Sequence, residues 1–145
     1  MSIKIKYRYE GNFEKPKKQT SGAAGIDLVN NDAHSCTVEV GDSAIISTGV
    51  FMEIPEGYVG LLFARSSLGF KYSCTLANSV GVIDSDYRGE LKVIVVNLSN
   101  EAYTIEPNER IGQFVLNKIE QIEFVEVEEL DSTERGEGGF GHTGK

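Results

Sequence analysis

The chain has 145 residues, the length of a single domain that can bury a core without metal or disulfide staples. Its 14 Lys and Arg against 22 Asp and Glu give a formal net charge of -8, which repels a nucleic-acid backbone unless the cations gather on one face. They do not gather: the one dense basic run, Lys15 to Lys18, contains Pro16 and reads as a solvated turn. Cys36 and Cys74 have neither ligand spacing nor a histidine cluster beside them, which excludes a zinc site and a disulfide framework, so buried, reduced thiols are expected. No apolar stretch is long enough for a signal peptide or a membrane span, and a cytoplasmic protein follows.

Residues 3 to 9 place Ile3, Ile5, Tyr7 and Tyr9 on one side and Lys4, Lys6 and Arg8 on the other, the period of a half-buried strand. Similar runs recur at Cys36 to Val40, Ala44 to Ile54, Tyr58 to Ala64, Leu91 to Asn97, Ala102 to Ile105, Gln113 to Lys118 and Ile122 to Val127. Turn chemistry separates them, as at Asn30-Asn31-Asp32, Gly41-Asp42, Pro55-Glu56-Gly57, Ser99-Asn100 and Pro107-Asn108. This rhythm predicts an all-β sandwich or barrel, with one short helical turn at Ser66 to Tyr72. From Arg135 the chain turns glycine-rich and carries a single aromatic, Phe140, so this tail either stays disordered or docks elsewhere.

Five stretches are more polar and glycine-rich than a plain sandwich needs: Ala23 to Leu28, Arg65 to Gly69, Gly81 to Gly89, Arg110 to Gln113, and Arg135 to Gly144. Each has a bland explanation taken singly, since Asp27 can cap a turn, Ser66 and Ser67 can bond backbone at a strand end, and Asp84-Ser85-Asp86 is ordinary turn chemistry. The tail also has the glycine and lysine spacing of a P-loop, ending in Gly144-Lys145. A P-loop requires a preceding strand, a following helix and a Ser or Thr after the Lys, so a phosphate-contacting lid is the better reading.

In this order and at these separations the five stretches resemble the motifs of the trimeric dUTPase family, from residue 23 to residue 144. The segments Gly-Val-Ile-Asp-Ser-Asp-Tyr-Arg-Gly-Glu and Arg-Gly-Glu-Gly-Gly-Phe-Gly-His-Thr-Gly are the most specific. The resemblance implies a jelly-roll-like β domain over residues 1–134 with a flexible C-terminal lid over 135–145. It further implies a homotrimer with active sites shared between subunits, and no nucleic-acid or membrane partner. The implied activity is hydrolysis of dUTP to dUMP and pyrophosphate, which limits uracil in DNA and supplies dUMP for thymidylate synthesis.

The resemblance also assigns roles. Asp84 is the expected general base, a carboxylate able to take a proton from a water aimed at the α-phosphorus. Arg65, Ser66, Ser67 and Arg135 are expected on phosphate, where an Arg fork can bind two oxygens at once. Gln113 lies near the phosphates, and Asp27 holds the water shell of a Mg²⁺ bound to the triphosphate, an ion that dehydrates reluctantly. Asn78 and the backbone of Val82, Ile83 and Asp84 line the uracil slot, and Tyr87 leaves no room for a 2′-hydroxyl. Phe140 stacks on uracil, and Lys92, Gly141 and Thr143 complete the expected substrate contacts. Two positions depart from the usual pattern, Ala64 where Pro or Gly is common and His142 where Ser is common.

Within the same fold, a dCTP deaminase shares the Arg-Ser-Ser segment but needs a carboxylate serving the cytosine ring. The Asp-Tyr-Arg-Gly segment and the phenylalanine in the tail favour the hydrolase. A non-enzymatic jelly-roll module would explain the strands and leave the five motifs without a role.

Overall fold

The computed structural model describes residues 2–142. Ten strands and one helix form among the described residues: β1 (Lys6–Tyr9), β2 (Ile26–Val29), β3 (Cys36–Val38), β4 (Ser43–Glu53), β5 (Tyr58–Phe63), α1 (Ser66–Tyr72), β6 (Cys74–Leu76), β7 (Gly81–Ile83), β8 (Glu90–Asn97), β9 (Tyr103–Ile105) and β10 (Arg110–Lys118). Two four-stranded sheets, ordered β1-β4-β8-β6 and β2-β10-β5-β7, are joined by a β3-β9 pair, and every pairing is antiparallel. This is the expected jelly-roll-like sandwich. No helix among the described residues is long and apolar enough to cross a membrane.

Alternation builds the core. Along β8, Leu91, Val93 and Val95 point inward while Lys92 faces out. Opposing residues come from the second sheet, Leu28 on β2, Leu62 on β5, and Ile111 and Phe114 on β10, so both inner faces interdigitate as in aligned sheet packing. Helix α1 breaks the strand pattern with Arg65 extended at its N-cap and Ser73 left-handed at its C-cap, and Leu68 anchors it in the core.

Strand β4 shifts register against β8 between Ser47 and Val50. Gly49 carries the bulge with φ of +69°, and a Cβ there would come within 2.6 Å of the Glu10 carbonyl, so backbone shape and space both demand glycine.

The structure departs from the sequence reading at several places. Ile122 to Val127 joins no sheet: β10 ends at Lys118, and no strand of the same chain is offered to the segment. Its Ile122, Phe124, Val125 and Val127 side chains stand exposed. Residues 3 to 5 lie outside β1, whose ladder begins at Lys6 opposite Glu53. Two short strands, β2 and β7, run through segments read only as motifs, and a third, β6, through a segment given no element. Cys74 is buried as expected, whereas Cys36 at the start of β3 is only half-buried, although Val38 and Ile105 of the same β3-β9 pair lie in the core.

Candidate active site

Three of the five motifs meet through strand register. Gln113 on β10 faces Asp27 on β2 to one side and Phe63 on β5 to the other, which sets the first, second and fourth motifs in one row. A cavity of about 310 Å³ opens there, lined by Gly25, Asp27, Arg65, Ser66, Arg110 and Gln113 among others. Gly25 leaves room for Gln113, whose Oε1 would sit 3.0 Å from an added Cβ, and Gln113 Nε2 donates to the Ala64 carbonyl at 3.2 Å.

The electrostatics of the cavity follow from one carboxylate between two guanidinium groups. Asp27 Oδ1 accepts from Arg65 Nε at 2.9 Å, Asp27 Oδ2 accepts from Arg110 Nη1 at 3.3 Å, and Arg65 Nη1 donates to Ser67 Oγ at 3.3 Å. Two cations against one anion leave the wall positive, although the whole chain is acidic. The first-turn N–H groups of Ser66 and Ser67 have no acceptor within the helix, and Arg65 supplies no side-chain cap. Fixed N–H donors beside oriented guanidinium groups suit a phosphate chain. Arg110 belongs to the fourth motif, yet sequence reasoning gave a role there only to Gln113; a second Arg within three residues of Gln113 was the available signal.

The third motif forms a separate face. Strand β7 is terminal in its sheet, so among the described residues only β5 pairs with it and its outer edge stays open. Val82 is exposed on the outer face of β7, while Ile83 packs toward the core. Strand β6 is terminal in the other sheet, and the turn between them is tight: Ser79 adopts φ of +61° and Val80 N–H bonds the Asn78 carbonyl at 2.7 Å. Asn78 is exposed on that turn. After β7, Asp84 starts a second turn, closed by Tyr87 N–H on the Asp84 carbonyl and by Arg88 Nη1 on the Ser85 and Tyr87 carbonyls. The exposed Asp84 carboxylate makes no hydrogen bond or ion pair among the described residues.

Within one chain these faces do not meet. Ile83 stands opposite Gly60 in the antiparallel β5-β7 ladder, and from that rung the chain runs one way to Asp84 and the other way to Arg65. At about 3.3 Å per residue the two are roughly 15 to 20 Å apart along the strands. Lys92 lies on the outer face of the other sheet, 3.8 Å from Glu90, and is not brought to the cationic cavity. In the tail, Arg135 Nε bonds the Gly138 carbonyl, and the hydrogen bonds of residues 136–142 likewise stay within 133–142. Phe140 is wholly exposed with φ of +48°, beside Gly141 at +84°. Thr143 falls outside the described residues.

Comparison with known proteins adds to this geometry. The chain is 62% identical over 99% of its length, and 98% of the relative's, to the deoxyuridine 5'-triphosphate nucleotidohydrolase of Fusobacterium nucleatum subsp. nucleatum. The Staphylococcus bacteriophage 80alpha dUTPase, solved with dUpNHpp, superposes with a TM-score of 0.88 at 29% identity, covering 99% of this chain and 100% of that one. A mutant dUTPase from phage phi11 of S. aureus, described with a coordinated structural Mg(II) ion, superposes with a TM-score of 0.79 at 25% identity over 90% of this chain and 100% of its own. The dUTPase family model matches residues 11–144, the span that holds both the cationic cavity and the open edge of β7, and the chain therefore belongs to the dUTPase family.

Proposed function

We propose that the protein hydrolyses dUTP to dUMP and pyrophosphate, with each active site assembled from more than one subunit of a homotrimer. The observation that carries this reading is the division of labour between two faces of one chain. One is a positive cavity built by Asp27, Arg65, Arg110 and Gln113, and the other is an open strand edge ending in the unpaired carboxylate of Asp84. A nucleoside triphosphate needs both, a cradle for phosphate and a flat slot for base and sugar.

The residues then divide the chemistry. Asp84 holds a water by hydrogen bond and takes its proton as the water oxygen attacks the α-phosphorus in line. The bond from that phosphorus to the bridging oxygen breaks, the electron pair leaves with the pyrophosphate, and its negative charge is stabilised by Arg65, by the N–H groups and hydroxyls of Ser66 and Ser67, and by Arg135 from the tail. The outer backbone edge of β7 pairs with uracil as an added strand would. Asn78 flanks it, Tyr87 lies along the deoxyribose, and Phe140 closes over the base. The glycines of the tail make its ordering conditional on those contacts.

The donor set fits a magnesium ion bound mainly by substrate. Among the described residues no three His, Cys, Asp or Glu side chains group as a metal cage. Each Asp27 oxygen accepts one arginine bond and keeps lone-pair capacity for a water, so Asp27 would hold the ion's water shell. When bound, Mg²⁺ would neutralise phosphate charge; orientation remains the work of the arginines. The product dUMP would serve thymidylate synthesis, and removal of dUTP would limit uracil in DNA.

Support for the assembly comes from the exposed apolar side chains of residues 122–130 and from the free outer edge of β1, with Ile3, Ile5, Tyr7, Ile26 and Met52 lining an apolar groove beside it. An extended segment and an unpaired edge complete each other between copies.

Incubation with dUTP or dCTP and Mg²⁺, followed by product identification, tests the activity. Formation of dUMP with pyrophosphate is expected. Formation of dUTP from dCTP, or no product, overturns it.

A further inference from the structure

Tyr87 sits on an exposed turn, outside the hydrophobic core, and 44% of its surface is open. Such a side chain would ordinarily exchange rotamers freely. One neighbour holds the ring and the other makes room for it. The Tyr87 hydroxyl donates to the Glu90 carbonyl at 3.0 Å. The ring lies against Gly89 so closely that a Cβ there would fall 2.3 Å from Oη and 2.5 Å from Cζ. Only a glycine leaves the ring in that position.

Glu90 is itself anchored from the other side. Its carboxylate, with side chain 17% exposed, accepts Gly49 N–H at 2.8 Å and the Ser47 hydroxyl, the two residues that flank Thr48 in the β4 bulge. Thr48 Oγ1 in turn donates to the carbonyl of Leu91, the next residue of β8. The bulge therefore fixes the start of β8, and the start of β8 presents the carbonyl that holds Tyr87.

We propose that Gly89 and Glu90 are positioning residues for sugar selection, acting through Tyr87. This rests on the reading of Tyr87 as the wall against a 2′-hydroxyl. A steric wall discriminates only while it cannot swing away, so the selectivity of Tyr87 depends on the bare Gly89 beneath the ring and on the Glu90 carbonyl at its hydroxyl. A purely structural role for Glu90, closing a bulge, would affect stability and leave sugar preference alone.

The test compares kcat/KM for dUTP and for UTP in the assembled wild-type protein and in Tyr87→Ala, Gly89→Ala, Glu90→Ala and Glu90→Gln. Gly89→Ala and Tyr87→Ala are each expected to lower the dUTP-to-UTP ratio by about tenfold or more, and Gly89→Ala is expected to add nothing further in the Tyr87→Ala background. Glu90→Ala should lower it as well, by at least about threefold, whereas Glu90→Gln, which keeps the acceptor oxygen, should stay within about twofold of wild type. If Gly89→Ala does not fold, the two Glu90 variants decide between themselves. Wild-type ratios in Gly89→Ala and Glu90→Ala beside a lowered ratio in Tyr87→Ala overturn the seat and leave the sugar wall standing. An unchanged ratio in Tyr87→Ala overturns both, and equal further loss in the double variant shows that Gly89 acts elsewhere and overturns the proposal.

Discussion

Asp27 and Arg65 meet through a 2.9 Å hydrogen bond from Arg65 Nε to Asp27 Oδ1, with both side chains largely withdrawn from solvent. The pair joins the start of one sheet to the N-terminus of α1, and Arg110 completes it from β10 at 3.3 Å. Asp27 aims two cations that would otherwise repel each other. Asp27→Ala leaves those cations unpaired in a partly buried site and should cost roughly 1 to 3 kcal/mol of stability. Removing the negative charge also raises the local positive potential, so inhibition by pyrophosphate should persist or tighten while kcat falls at least about tenfold through lost orientation. Urea unfolding, pyrophosphate inhibition and steady-state kinetics read the three effects separately. Wild-type kcat in the variant would show that Asp27 does not orient the arginines for catalysis.

Tyr103 sets an alkaline limit on the fold. It is buried, stacks on Tyr72 with ring centroids 4.4 Å apart, and donates its hydroxyl to Glu109. Burial first, and then the Glu109 carboxylate, raises its pKa far above the ordinary phenol value. The protonated phenol is thus favoured by folding. That contribution is fully present below the unfolded value of about 10 and is lost as pH rises beyond it, because the unfolded chain then ionises while the folded chain resists. Melting temperature should begin to drop at pH ~10 and keep falling as pH rises further, and Tyr103→Phe should flatten the drop while costing about 1 kcal/mol at neutral pH through the lost bond. Equal pH slopes in both proteins would remove Tyr103 as the cause.

Legibility in the sequence divided along physical lines. Long strands such as β4, β5, β8 and β10 announced themselves by alternation, because one face of each is buried against the same chain. Strands β2 and β7 sit in glycine-containing motifs that read as loops, and β6 offers only three residues between the end of α1 and the Asn78 turn, too few for alternation to register. Ile122 to Val127 had the pattern of a strand without a partner in its own chain. In the site, motif order was enough to nominate Asp27, Arg65 and Asp84. That Asp27 is shared between Arg65 and Arg110 depends on the β2-β10-β5 register, which no local pattern contains.

The exposed segment beyond β10 yields a prediction about assembly. Phe124 is 92% exposed, an arrangement that leaves a large apolar surface in water unless another chain covers it. With the proposed trimer as the assembly, Phe124→Asp should shift the protein toward monomer in sedimentation velocity and reduce dUTP turnover in proportion. A variant that keeps the wild-type mass at all concentrations would show that this side chain is not part of the interface.

The β5-β7 register gives the most direct test of shared active sites. Asp84 and Arg65 lie on opposite sides of the Gly60–Ile83 rung, roughly 15 to 20 Å apart along the strands, so the proposed site takes them from different chains. Asp84→Asn should abolish hydrolysis while leaving dUTP binding largely intact, since it removes a proton acceptor and preserves size. Arg65→Ala should be nearly inactive through lost phosphate contacts. Equal mixtures of the two, exchanged into random trimers, should regain turnover, with about a quarter of sites combining an intact Asp84 from one subunit with an intact Arg65 from its neighbour. The same logic reaches the tail: Asp84→Asn mixed with a chain truncated before Arg135 should also recover activity if the lid closes in trans. Mass-labelled subunits can confirm that exchange has occurred. Mixtures that stay inactive after confirmed exchange would mean that each chain completes its own site, and the separation along the ladder would then have to close by a movement of β7 against β5.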